Sequence, residues 1–95
     1  MKLHIKHIKK PFIKRIDGKV QSWNNKYFVY KRVFGFFKMY IKLSSRWESN
    51  YLSGNDICIN FTYARDEAYD FESRDEAERF IKRATDNPHR FISFN

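Results

Sequence analysis

The sequence predicts an α+β domain: an antiparallel sheet of four to six strands with one C-terminal helix packed on one face. Three observations carry this. Ile57, Ile59, Phe61 and Tyr63 alternate with Cys58, Asn60 and Thr62, the period of a half-buried strand. Ala77, Phe80, Ile81 and Ala84 recur at i, i+3, i+4 and i+7, an apolar helical stripe that a sheet can cover. Between Tyr27 and Ser44, two apolar-aromatic runs flank Phe34-Gly35, which reads as a hairpin.

In chain order, Lys2–Ile16 mixes Leu3, Ile5, Ile8, Phe12, Ile13 and Ile16 with basic residues. Pro11 would break a continuous helix there, so an edge strand or bent extended segment is expected. Asp17-Gly18 is a tight-turn dipeptide, Lys19–Trp23 a short returning strand, and Asn24-Asn25 a second break. A two-residue turn at Phe34-Gly35 sets Val33 opposite Phe36, Lys31 opposite Lys38, Val29 opposite Tyr40 and Tyr27 opposite Lys42. Alternation then gives a core face of Phe28, Tyr30, Phe37, Met39, Ile41 and Leu43. The other face is basic and aromatic, with Tyr27, Val29, Lys31, Phe36, Lys38, Tyr40 and Lys42.

Trp47–Leu52 is expected to extend the sheet, followed by the turn Ser53-Gly54-Asn55-Asp56. Ala64–Asp70 is too acidic and irregular to assign. The helix begins at Ser73, where Ser73 and Glu76 form a capping box and Asp75, Glu76 and Glu78 crowd the positive end of the helix dipole. Lys82 and Arg83 sit near its negative end, and Asn87-Pro88 stops it. Phe91–Asn95 alternates as a closing strand.

Composition bounds the function. With 95 residues and no repeat or linker, residues 1–95 form a single domain, and 19% aromatics supply enough area for a small core. Residues 1–46 hold 13 Lys/Arg against one acid, Asp17, for +12; residues 47–95 hold 6 Lys/Arg against 10 acids, for −4. So polarised a chain presents one side that attracts anions. No apolar run approaches a membrane span or the core of a secretory signal, and a lone Cys58 forms no internal disulfide. These features point to a cytoplasmic protein that does not engage a membrane.

Catalysis and cofactors are not expected. No nucleophile elbow or phosphate-cradling glycine pattern is present, and Cys58 reads as a small strand residue. His4 and His7 lie among Lys6, Lys9 and Lys10, which discourages a dication. The acidic run Asp66, Glu67, Asp70, Glu72, Asp75 and Glu76 reads as a solvated rim whose last two members serve the helix cap, so no metal is expected there. What remains is the basic-aromatic face. Single-stranded nucleic acid binds where rings stack on bases and cations neutralise the backbone. Tyr27, Phe36 and Tyr40 supply rings; Lys31, Lys38 and Lys42, with the arm Lys6, Lys9, Lys10, Lys14 and Arg15, supply charge.

The string Phe71-Glu72-Ser73-Arg74-Asp75-Glu76-Ala77, preceded by an aromatic hairpin with a central Gly35, resembles small accessory proteins of tailed bacteriophages. The resemblance covers the C-terminal third and the hairpin. It implies a protein that binds and inhibits a host enzyme or a defence system in the host cytoplasm, and it carries no site residues over. The expectation is therefore a non-enzymatic binder of RNA or single-stranded DNA. The alternative is an inhibitor that docks its cationic side on an acidic host protein; the oligomeric state, a homodimer included, stays open.

Overall fold

A computed structural model describes residues 2–16 and 19–93, and the side chains among them except those of residues 10–24. Five strands form one sheet in the order β1 (His4–Ile16), β2 (Lys19–Val33), β3 (Phe37–Lys42), β4 (Ile57–Thr62) and β5 (Phe91–Ser93). Two helices accompany it, α1 (Trp47–Leu52) and α2 (Arg74–Asp86), with 3-10 turns at Arg65–Glu67 and Pro88–Arg90. The α+β class with a C-terminal helix on one face is as expected. The turn expected at Asp17-Gly18 and the last two residues of the closing strand, Phe94 and Asn95, lie outside the described residues.

The sheet is mixed rather than purely antiparallel. β1 to β4 are antiparallel neighbours, but β5 lies parallel to β4, with Ile57 opposite Phe91 and Ile59 opposite Ser93. Connectivity explains it: β4, α2 and β5 form a strand–helix–strand crossover, and a helix returning over the sheet brings the next strand in parallel.

β2 is not broken at Asn24-Asn25. It pairs with β1 from Lys19 to Tyr30, with a register shift between Phe12 and Arg15, Asn24 lying against Lys10 and Asn25 against Lys9, and the Asn25 Oδ1 lies 2.9 Å from His7 Nε2. Pro11 sits in β1, on the outer edge of the sheet, where a missing donor is tolerated. β2 pairs with β3 only from Tyr30 to Val33, so much of the β1–β2 ribbon extends beyond the rest of the sheet. That extension raises the radius of gyration to 15.2 Å, against roughly 12 Å for a compact chain of this length.

Where β2 and β3 diverge, the chain between β4 and α2 passes between them. Tyr69 N–H donates to Ile41 O at 2.9 Å and Phe71 N–H to Tyr27 O at 2.8 Å, satisfying backbone groups the hairpin leaves open. Phe71 is thereby drawn into the main core with Val29, Ile41, Trp47, Ile57, Ile59, Phe61, Ala77, Phe80 and Phe91. Trp47 meets Phe80 and Phe71 edge-on at 5.2 and 6.3 Å, and Phe80 meets Phe91 at 5.4 Å.

Trp47–Leu52 is a helix and not a strand. Six residues cannot hold a helix by propensity. Tertiary contacts do: Trp47 is buried beneath α2, and Glu48 accepts from Arg79 Nε at 2.9 Å and Arg83 Nη1 at 2.7 Å. α2 starts as expected, with the Ser73 hydroxyl accepting from Glu76 N–H at 3.1 Å, and it ends at Asn87.

Candidate nucleic-acid interface

The hairpin differs from expectation by one residue, and that residue redistributes every side chain on it. Val33 opposes Phe37, Arg32 opposes Lys38, Lys31 opposes Met39 and Tyr30 opposes Tyr40. The turn therefore spans three residues, Phe34, Gly35 and Phe36. Phe34 and Gly35 both adopt positive φ, 54° and 78°. Gly accepts that conformation freely; for Phe it is strained. Burial of Val29 and Ile41 on one face decides the outcome, because a one-residue slip of β3 would turn Ile41 away from the core.

The face toward α2 consequently carries Tyr27, Val29, Lys31, Met39, Ile41 and Leu43, and the reverse face carries Phe28, Tyr30, Arg32, Lys38, Tyr40 and Lys42. The expected basic-aromatic set is divided. Tyr27 and Lys31 fall on the α2 side, where the Lys31 ammonium lies 3.9 Å from the Phe61 ring centre. Lys38, Tyr40 and Lys42 fall on the reverse face, joined there by half-buried Lys6 opposite Phe28. Lys9 sits on the exposed edge strand opposite Asn25. Lys10, Lys14 and Arg15 belong to β1 by backbone, and their side chains lie outside the described part.

The reverse face has its own small core. Phe28, Tyr30 and Tyr40 are 6%, 7% and 7% exposed and pack with Ile8 and Ala68. His4 stacks on Tyr30 at 5.3 Å, and the Lys38 ammonium lies 5.1 Å from the same ring centre. Tyr40 is thus a core ring and offers no surface for base stacking. Phe28 and Tyr30 are buried as expected, but on the sheet face away from the helix.

The exposed rings are at the turn. Phe34 and Phe36 are 83% and 87% exposed, Phe37 56% and Tyr63 59%. Phe37 and Tyr63 meet edge-on at 6.3 Å, and with Phe34 they line a shallow apolar hollow of about 390 Å³. Phe37, opposite Val33, and Tyr63 against it lie on the α2 side of the sheet, whereas Arg32 and Lys38 face each other on the reverse side, two cations opposed on one face. Lys42 stands exposed further along the same strand, opposite Asn60.

Comparison with family models, curated proteins and solved structures finds no match to this chain.

The other groups singled out in the sequence are dispersed. His4 and His7, three apart in a strand, point to opposite faces, and His7 stacks on Tyr27 at 4.6 Å. Cys58 is exposed on β4. Among the described residues no group of three or more His, Cys, Asp and Glu side chains converges. Glu67 accepts from the Thr62 hydroxyl at 3.2 Å, and Asp70 lies 3.7 Å from Lys26.

Glu76 departs from the solvated rim expected for it. Its carboxylate is buried and accepts from Trp47 Nε1 at 3.0 Å, the Tyr69 hydroxyl at 2.9 Å and Glu72 N–H at 2.9 Å. Burial first, and then the hydrogen bond to this carboxylate, hold the Tyr69 hydroxyl protonated well above the ordinary phenol range. Arg79, opposed by partial desolvation and assisted by Arg83, draws Glu48 below its ordinary value. Both are ties between α2 and its neighbours, away from the basic face.

Proposed function

We propose that the protein binds single-stranded nucleic acid without catalysis, stacking bases on the exposed rings of the hairpin turn and neutralising phosphates along its basic reverse face. The observation that carries this reading is the turn itself: four exposed rings, Phe34 at positive φ among them, at the end of a hairpin whose reverse face opposes the cations Arg32 and Lys38. A strained apolar turn in full solvent contributes nothing to the core, and an exposed apolar patch of this kind favours a binding role. Opposed cations repel unless an anion lies between them. A single strand supplies both partners, an anion at every linkage and a π-face at every base.

The test is a fluorescence titration of a labelled octauridylate at several salt concentrations. With three or four phosphates neutralised, log affinity falls against log salt with a slope of roughly −2 to −3. Arg32→Glu with Lys38→Glu flattens that slope. Phe36→Ala leaves the slope and weakens binding by roughly 1–3 kcal/mol. Absence of binding near physiological salt overturns the reading. The same exposed rings also suit a protein interface, where a few aromatic anchors carry the affinity. A partner captured from nuclease-treated host lysate and lost in Phe36→Ala, with no oligonucleotide bound, establishes the inhibitor reading in its place.

A further inference from the structure

A second feature of the reverse face lies near the point where the ribbon leaves the sheet. A cleft of about 440 Å³ opens between β1, β2 and the segment that follows β4, within the roughly 300–1,000 Å³ of typical ligand pockets. Its apolar lining is Ile8, Phe28 and Ala68, the margin of the small second core. Four charged side chains of both signs complete it: Lys26, Arg65, Asp66 and Asp70. The outer wall is held in place along its length. Ala64 N–H donates to the Thr62 hydroxyl at 3.1 Å and Thr62 donates to Glu67, while the 3-10 turn closes with Ala68 N–H on Arg65 O at 3.1 Å. Tyr69 and Phe71 then anchor it to β3 and β2.

Two of the four charges are already coupled, and two are not. Lys26 and Asp70 approach at 3.7 Å with side chains 39% and 41% exposed, a pair of the weak, solvent-screened kind that yields readily to a better partner. Among the described residues neither Arg65 nor Asp66 has a side-chain hydrogen bond or ion pair. An apolar lining with unengaged groups of both signs fits a ligand that is flat and apolar on its faces, rich in donors on one edge and anionic elsewhere. A nucleotide has that chemistry.

We infer that this cleft takes one guanine nucleotide unit, with Asp66 reading the base and Lys26 and Arg65 the phosphate; the inference rests on the nucleic-acid reading above. An ionised carboxylate only accepts, through two adjacent oxygens. Guanine presents two adjacent donors, N1–H and the N2 amino group, to one carboxylate. Adenine and cytosine present a single amino group beside an acceptor, and uracil an imino N–H flanked by two carbonyls that repel it. Ile8 and Ala68 offer apolar contact to the base. From Lys26 to Arg32 the reverse face of β2 runs six residues, about 20 Å, so one strand reaches both the cleft and the turn.

The experiment compares the full chain on octauridylate, on the same octamer with one central guanosine, and on guanosine monophosphate followed by amide chemical shifts. One guanosine should tighten octamer binding roughly 5- to 150-fold, the discrimination of one bidentate base contact. Asp66→Asn and, separately, Ala68→Leu, which fills the cleft without changing charge, should erase that gain and leave octauridylate affinity and its salt slope intact. If both octamers bind alike and the monophosphate shifts no amide near Ala68, the cleft inference is overturned while the nucleic-acid reading stands. It is overturned equally if guanosine helps but neither variant removes the gain. If neither octamer binds, the reading above fails; shifts near Ala68 with guanosine monophosphate, absent in Asp66→Asn, would then identify the cleft as a site for the free nucleotide, and no shift would remove it altogether.

Discussion

Replacing Glu76 should be the most damaging single polar substitution in the described chain, and the structure sets its size. Glu76→Ala removes the acceptor for three donors at once. The Trp47 indole N–H is buried with its ring 1% exposed, so it bears the full penalty of an unpaired buried donor, about 1–3 kcal/mol. The Tyr69 hydroxyl and the Glu72 amide are nearer solvent and recover part of theirs from water, leaving about 0.5–1.5 kcal/mol each. The total is about 2–6 kcal/mol, against a net stability of about 5–15 kcal/mol for a domain of ordinary size. Urea denaturation should show the midpoint falling by about 1–3 M, using a slope of roughly 2 kcal/mol per M. Glu76→Gln separates the components. Its amide oxygen can still accept from Trp47 and Tyr69, but its amide nitrogen then faces the Glu72 donor, so the loss should be about 1–2 kcal/mol. Glu78→Ala is the control; its pair with Arg74, at 3.4 Å and more than half exposed, should matter by less than about 0.5 kcal/mol. If Glu76→Ala unfolds within about 0.5 kcal/mol of Glu78→Ala, the carboxylate does not hold α2 to Trp47 and the reasoning fails.

Three further outcomes are expected. Ser73→Ala removes the N-cap acceptor and should cost about 0.5–2 kcal/mol in the same denaturation assay with oligonucleotide affinity unchanged; an unmoved midpoint would place the helix start elsewhere. Phe34→Asn, which tolerates positive φ, should stabilise the fold by about 0.5–1.5 kcal/mol and weaken octamer binding, and destabilisation would show that the ring packs rather than binds. Because Glu48 titrates below its ordinary value of 4.5, its ion pairs contribute stability above that pH and lose it as pH falls through the lowered value; Glu48→Gln should melt below wild type at pH 7, with the gap closing on acidification, and a constant gap would refute the assignment.

Local signals made β4 and α2 legible. Strict alternation from Ile57 to Tyr63 and a capping serine with its apolar stripe each declare themselves within a dozen residues. Elements held together from a distance were not legible. α1 is too short to show a period, and its stability comes from Arg79 and Arg83, more than thirty residues on. The parallel pairing of β5 follows from the crossover through α2, a consequence of chain path that alternation in Phe91–Ser93 does not encode. Burial of Glu76 was masked by a sufficient local explanation, the capping box. The hairpin faces were ambiguous for a different reason. Both are apolar, one through Val29 and Ile41, the other through Phe28, Tyr30 and Tyr40, so hydrophobic alternation alone cannot tell which meets the helix.

Turn length resolves that ambiguity and also reshapes the candidate site. With two residues in the turn, rings and lysines would have shared one surface, and stacking and charge neutralisation would have occurred at the same place. The third residue turns Tyr40 into the small core of the reverse face and leaves Phe34 and Phe36 exposed in the turn and Phe37 exposed on the α2 side, so rings and cations no longer share one surface. If the proposed function holds, neutralisation would fall to Arg32, Lys38 and Lys42 on the reverse face and stacking to the rings of the turn. On that proposal a charge reversal should change how binding depends on salt, and a ring deletion how strong it is at every salt concentration. A surface in which the two were merged could not be separated in this way.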